Sequence, residues 1–366
     1  MTPRLAIGCM SGTSLDAIDV AAVHATGHAL ELHAHPLGHV SLPIPDAVLA
    51  DLRRLCEGGA LTAREIAECR RDFGRAHADA ISLLLEERPE LGRPTLIAIH
   101  GQTVHHHPPT SWQLIDPWPV ADRFLCPVVS DLRGADLAVG GQGAPITPLA
   151  DWVLFRSPTH ARAIVNLGGF CNVTILPAGA TRDEVDGFDV CACNQLLDAG
   201  ARRVLGRPYD DGGAAASRGD PDPDASHELA DLLRAQAESG RSLGTGDEAG
   251  AWLDAWADRL AGDDLLATIA STIGRIISER LSLDAPAGFE IYLAGGGVRN
   301  DALARAILDA RPLDDLGVLP QARESVAMAV LALLAADAVP VTLPRVTGRA
   351  AQVPLSGAWI NARPSL

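Results

Sequence analysis

The sequence has no lysine; its 30 Lys/Arg cations are all arginine. That excludes a GxxxxGK[ST] phosphate loop, a protein-kinase lysine and a Schiff-base lysine. Any ATP chemistry must run without a lysine clamp. There is no long basic run, and the formal net charge is −16. Nucleic acid and anionic membrane are therefore disfavoured as partners, and the acidity reads as a solubility feature. No CxxC pair occurs among the seven cysteines, Cys9, Cys56, Cys69, Cys126, Cys171, Cys191 and Cys193. An odd number in a large chain predicts reduced thiols in a cytoplasm. Near the N-terminus the apolar run is too short for a signal peptide. The longest apolar stretch, residues 326–341, carries Asp337 and Pro340 and is shorter than a membrane span. A soluble, cytoplasmic protein is expected.

What is present is an apolar content of 47% over 366 residues, enough for about two domains with real cores. Residues 8–19, GCMSGTSLDAID, join two apolar runs through a Gly/Ser/Thr loop, the pattern of a β-hairpin. Gly12, with Ser11, Thr13 and Ser14, exposes N–H groups and hydroxyls of the kind that suit phosphate oxygens. Asp16 and Asp19 follow, and carboxylates suit Mg²⁺. An ordinary turn with Asp side chains on loop amides explains the same residues.

Four strands are expected in the first 45 residues, at 5–7, 19–24, 30–35 and 38–42. Helices are expected at 45–56 and 62–87, the second with Ile66, Cys69, Phe73, His77, Ile81 and Leu84 on one face. A buried strand at 95–99 then delivers HGQTVHHHP as a loop, where α/β folds place ligands. His105, His106 and His107 suggest a metal, but three adjacent side chains splay apart. A strand at 127–131 leads to the glycine loop LRGADLAVGGQGAP, then a helix at 147–155. Residues 161–176 repeat the strand–glycine turn–strand pattern around NLGGFCN. GFDV reads as a turn carrying Asp189, followed by a helix that an Asp could N-cap. Helices at 226–238, 249–260 and 263–282 precede a strand at 290–294, then GGGVRN and a helix at 301–310. A helix at 322–336 starts with Glu324, a favourable first-turn charge.

Four glycine-bearing loops, at 8–14, 140–143, 167–169 and 295–297, thus follow or join strands. Without a P-loop, they resemble the actin-like/sugar-kinase/chaperone ATPase architecture. The ordered series MSGTSLDAID, HGQTVHHHP, SDLRGADLAVGGQGAP, NLGGFCNVT, GFDVCACN, AGGGVRN and PRVTGRA resembles the anhydro-N-acetylmuramic acid kinases over essentially the whole chain. The resemblance implies an α/β, two-lobed actin-like ATPase (ASKHA, ribonuclease H-like) fold with a central interlobe cleft. Residues 1–128 plus 345–366 would form the N-terminal lobe and 129–344 the C-terminal lobe. It implies ATP with Mg²⁺, a cytoplasmic homodimer and a role in peptidoglycan recycling. The implied reaction opens the 1,6-anhydro ring of 1,6-anhydro-N-acetylmuramate with water and phosphorylates O6. Asp189 would activate the water and Glu324 assist at the sugar. Gly12, Thr13, Ser14, Leu15, Asp16, Ala17, Ile18 and Asp19 would meet the ATP phosphates, with Asp16 and Asp19 holding the metal. Gly168 and Gly169 would supply a second phosphate turn, and Gly295, Gly296 and Gly297 the adenosine loop. His100, Gln102, Thr103 and Arg133 would bind the sugar.

The chain departs from the family in three places. Cys191-Ala192-Cys193-Asn194 stands for GPGN, and β-carbons there restrict positive φ, so the turn aiming Asp189 is expected to differ. Ala17 replaces a glycine. Asp247 stands where the family has a basic residue and would repel an anionic substrate. These changes leave two alternatives open: a kinase-fold protein that binds nucleotide or sugar with little turnover, and a kinase for another sugar.

Overall fold

The computed structural model describes residues 4–361, apart from 13, 14, 16, 245 and 351. The hairpin expected around the first glycine loop is β1 (Arg4–Ser11) and β2 (Ala17–Thr26). Thr13, Ser14 and Asp16 fall outside the described residues. β3 (His33–Pro43) pairs with β2 as one strand where the sequence suggested two. Its register jumps from Gly38 to Pro36 and leaves Leu37 bulged. The proline is tolerated because β3 is a sheet edge.

Helix α1 (Asp46–Cys56) precedes α2 (Ala63–Glu87), which starts at a capping box between Thr62 and Glu65. Next comes β4 (Leu96–Ile99), parallel to β1. The segment expected as a His-rich loop is instead a hairpin, β5 (Gln102–His107) with β6 (Thr110–Leu114). Then come α3 (Trp118–Phe124), β7 (Val128–Ser130), α4 (Gly134–Leu137) and α5 (Pro148–Phe155).

The second series begins with β8 (Arg162–Leu167) and β9 (Phe170–Leu176), joined at Gly168-Gly169. GFDV, expected as a turn, lies within β10 (Asp186–Ala192). Helices α6 (Asn194–Leu205), α7 (Pro223–Glu238), α8 (Gly250–Trp256) and α9 (Gly262–Asp284) follow. β11 (Glu290–Ala294), α10 (Asp301–Ala306) and β12 (Ala310–Pro312) close this series. The chain continues through α11 (Arg323–Ala336) and α12 (Pro344–Thr347) to β13 (Ala358–Ile360).

By packing, the chain divides into one unit of residues 1–154 with 322–366 and another of 155–321. These limits differ from 128/129 and 344/345. β7 pairs parallel with β4 and so belongs to the first sheet, and α11 packs against β1, β2 and β4.

The first sheet runs β13-β7-β4-β1-β2-β3 and the second β10-β9-β8-β11-β12. In both, three antiparallel strands are followed by two that join parallel to the first of them. Each unit thus carries the ribonuclease H-like strand order of the actin-like ATPase (ASKHA) α/β fold. In the first unit, alternation along β1 puts Ile7 and Cys9 in the cluster with Phe73, Ile81 and Leu84 of α2. Gly8, on the opposite face, meets α11 so closely that a β-carbon would lie 2.0 Å from the Ser325 carbonyl. In the second unit the core gathers Val165, Leu196, Leu229, Ile269, Ile273 and Ile277. Six of the seven cysteines are buried, and Cys56 is half-buried.

Candidate active site

In the first unit, the glycine loop leaves β1 at Ser11. The Leu15 N–H donates to the Gly12 carbonyl at 3.2 Å, and Leu15 takes φ +54°. A left-handed leucine costs about 1 kcal/mol and marks backbone held by its surroundings. Ala17 and Ile18 open β2, and Ala17 takes no positive φ, so a β-carbon is accommodated there. Asp19 Oδ1 lies 3.2 Å from His39 Nε2. Among the described residues, no group of three or more His, Cys, Asp and Glu could hold a metal. Alternation along β5 buries His106 and exposes His105 and His107, which removes the triple-histidine metal reading.

Of the four expected sugar-site residues, His100 follows β4, Gln102 and Thr103 open β5, and Arg133 follows β7. His100 is buried, with Nδ1 2.9 Å from the Gly101 carbonyl and Nε2 3.0 Å from Arg133 Nε. Arginine can only donate, so Nε2 accepts and Nδ1 carries the proton. Burial, then the nearby Arg133 charge, pushes the imidazole down to about 3. Arg133 Nη1 also donates to the Gly143 carbonyl at 2.7 Å, tying the second glycine loop to β4. Gln102 is buried beside it, and its Nε2 donates to the Thr103 carbonyl at 3.3 Å. The structure therefore brings His100 and Arg133 together directly. Thr103 lies on the other face of β5, where Gln113 Nε2 is 3.5 Å from its hydroxyl. Gln102 Oε1, His106 Nε2 and His77 Nε2 are buried without a hydrogen-bond partner. A proton on His106 or His77 would oppose one on His100. Burial is the main cause that pushes His77 and His106 each down to about 4.

Glu324 sits half-buried in the first turn of α11. Its neighbour Arg323 is fully buried and fixes that turn. Arg323 Nε donates to Asp151 Oδ1 at 3.0 Å, and Nη2 donates to Thr147 Oγ1 at 3.0 Å and to Asp151 Oδ2.

In the second unit, Asp189 lies in β10 opposite Asn172 of β9, not at a helix N-cap. Helix α6 starts five residues later in the chain, at Asn194, with Cys193 as N-cap. A register shift separates Asp189 from Cys191, and residues 191–193 take no positive φ. The β-carbons of CAC are therefore compatible with the bulge. Cys171 and Cys191 stand opposite each other in the β9–β10 pairing. Burial raises the Cys191 thiol well above its ordinary value and pushes Cys193 up to about 12. Such thiols are inert, against a redox or metal role.

Gly168 and Gly169 supply carbonyls to the start of α6. Asn194 N–H donates to Gly168 at 3.0 Å, and Cys193 and Gln195 N–H to Gly169 at 2.9 and 3.2 Å. Asn194 Nδ2 donates to the Leu167 carbonyl at 2.9 Å. The adenosine-loop glycines abut the same strand end. Gly295 takes φ +85°, and a β-carbon there would lie 2.7 Å from the Leu167 oxygen. Gly297 is equally tight against the Leu167 side chain, whereas at Gly296 the nearest atom is 3.9 Å away. Packing explains the outer two glycines; only the middle one leaves its backbone open to approach.

Sequence reasoning missed the segment that touches Asp189. The Leu243 N–H donates to Asp189 Oδ2 at 2.8 Å. Asp247, expected to repel an anion, is instead paired with Arg241 at 2.5 Å. Opposite charges six residues apart in a glycine-rich stretch were the available signal, and they fit no regular spacing.

The family model described as anhydro-N-acetylmuramic acid kinase matches residues 4–361. The chain belongs to the anhydro-N-acetylmuramic acid kinase family. A family member from Salinibacter ruber is 35% identical over 385 residues, covering 96% of this chain and 95% of its own. One from Gloeobacter violaceus is 37% identical over 380 residues, covering 97% and 98%. Among solved structures, component A of the Acidaminococcus fermentans (R)-2-hydroxyglutaryl-CoA dehydratase aligns at TM-score 0.47 with 12% identity, covering 90% of this chain and 98% of its own. That likeness is too distant to bear on the activity.

Proposed function

We propose that the chain is an ATP-dependent anhydro-N-acetylmuramic acid kinase. The reading rests on a family match spanning nearly the whole chain. Water attacks the anomeric carbon of 1,6-anhydro-N-acetylmuramate and the bond from that carbon to O6 breaks. O6 takes the γ-phosphoryl group, giving N-acetylmuramate 6-phosphate and ADP. Asp189 accepts the proton from the water, as a positioned carboxylate can. Its Leu243 hydrogen bond orients one carboxylate oxygen. Phosphoryl transfer itself needs mainly positioning and charge neutralisation.

His100, Gln102, Thr103 and Arg133 are assigned to the sugar. The neutral His100, fixed by Arg133, and the unspent acceptor of Gln102 suit sugar hydroxyl and amide groups. Glu324 assists at the sugar. Residues 12–19 and the Gly168-Gly169 turn serve the phosphates, and residues 295–297, through the open backbone at Gly296, the adenosine. The donor set fits Mg²⁺, a hard cation that takes one or two carboxylates and keeps waters. Asp19 offers a carboxylate with a single neighbouring imidazole, and Asp16 would join it. When bound, the ion neutralises charge on the transferring phosphates. The protein is further proposed to act in the cytoplasm, as a homodimer, in peptidoglycan recycling. No helix among the described residues is long and apolar enough to cross a membrane.

The test is ADP release from Mg²⁺-ATP, with and without 1,6-anhydro-N-acetylmuramate, for the natural chain and Asp189→Asn. Sugar-dependent release should fall at least about a thousandfold in the variant. Absence of sugar-dependent release from a folded, ATP-binding natural chain would reject the kinase reading.

A further inference from the structure

We propose that Arg241, Leu243, Gly244 and Asp247 form a clip that positions Asp189, with Arg241 holding it closed. The inference rests on Asp189 being the base. Leu243 N–H donates to Asp189 Oδ2 at 2.8 Å, so the backbone of this segment grips the carboxylate directly. The segment is folded on itself by one carboxylate. Arg241 binds Asp247 through two parallel hydrogen bonds, Nη1 to Oδ2 at 2.8 Å and Nη2 to Oδ1 at 2.5 Å. That fork fixes direction as well as distance. The Gly244 N–H donates to the same Oδ2 at 2.9 Å, and Arg241 Nη1 also reaches the Ser242 carbonyl at 3.0 Å. Leu243, the donor to Asp189, therefore lies between two residues pinned by one ion pair.

The clip is anchored to the strand that carries Asp189. Gln236 of α7 donates Nε2 to the Asp247 carbonyl at 2.8 Å and accepts from the Ala192 N–H at 2.9 Å. Ala192 is on β10, three residues beyond Asp189. A closed circuit runs from β10 through α7 and the clip back to Asp189. The Asp247 side chain is 12% exposed, so its charge is not left to solvent. The hydrogen bonds to Asp247 hold the Arg241 guanidinium up against its burial, and the charge of Asp189 acts on it as well. In this chain the cation beside Asp189 comes from Arg241, while the position that is basic in the family pattern, Asp247, serves as its counter-ion.

Removing the Arg241 side chain opens the ion pair that holds Leu243 and withdraws a positive charge that acts on Asp189, while the Asp189 side chain itself is kept. Arg241→Ala in the full chain should lower kcat about tenfold while the KM for ATP holds, the signature of misplaced machinery. Arg241→Lys should recover part of the loss, because an ammonium keeps the charge and loses the fork. A purely structural role would lower the unfolding midpoint and leave kcat unchanged, which overturns the proposal. Amide hydrogen exchange gives a readout independent of turnover. The Leu243 N–H should be protected in the natural chain and exposed in Arg241→Ala, with the amides of the β8–β9 pairing unaffected. An unprotected Leu243 in the natural chain overturns the clip. Full turnover by Asp189→Asn would instead remove the base assignment while leaving the exchange result to stand on its own.

Discussion

Arg133 shows how one side chain can organise a site. Its Nε fixes the tautomer of His100 and its Nη1 holds the Gly143 carbonyl, so one guanidinium joins a strand end to a loop. Lysine has one donor point and cannot make both bonds in this geometry. Arg133→Lys is expected to raise the KM for the anhydro sugar about tenfold with little change in kcat. Steady-state kinetics with the sugar varied will check it, and an unchanged KM would remove Arg133 from the sugar site. The motif around Arg133 was legible as a glycine loop. Its tie to His100 was not, because thirty-three residues separate the two and no local pattern encodes a parallel strand pairing.

At the scale of elements, the first hairpin is tied to α11 through Gly8. A β-carbon at residue 8 would sit 2.0 Å from the Ser325 carbonyl and 2.5 Å from the Ala329 nitrogen, both backbone atoms that cannot rotate away. Gly8→Ala should cost about 2 kcal/mol or more, read as a lower urea midpoint at unchanged m. Equal stability would mean that α11 shifts freely, and would refute the tight contact. The sequence showed the helices well, since α2 and α9 carry apolar residues at spacings of three and four. It failed where strands are irregular. The break read between strands at 30–35 and 38–42 is a bulge at Leu37 within β3, and GFDV read as a turn but lies in β10. Turn-forming residues at bulges carry the same local signal as true turns. The Arg241–Asp247 clip was hidden for a related reason: its partners meet through an irregular segment with no period.

Across the whole molecule, His77, His100 and His106 are buried neutral in the first unit, with values near 4, 3 and 4. An unfolded histidine titrates near 6.5, so below that pH the unfolded chain binds protons that the native state refuses. Their contribution to stability is complete above about pH 6.5 and is lost as the pH falls toward about 4. Each site should withdraw about 2 kcal/mol by pH 5. Urea unfolding at pH 7 and pH 5 should show this loss, and His77→Leu should show about 2 kcal/mol less of it. The same pH sensitivity in the variant would contradict the buried-neutral assignment. The duplicated strand order was visible in the sequence only as two glycine-turned hairpins. Pairing of the later strands with the first of each set depends on contacts across 90 residues for β1 with β4 and 128 for β8 with β11, beyond the reach of local pattern.

The distribution of buried thiols makes the chain its own reporter of opening. Cys9, Cys69 and Cys126 are shielded in one unit and Cys171, Cys191 and Cys193 in the other, while Cys56 is half-buried. A thiol-reactive probe will reach each set only when its surroundings open. Labelling followed by peptide mass analysis therefore times the opening of each unit separately, in the natural sequence, with Cys56 as the early-reacting reference.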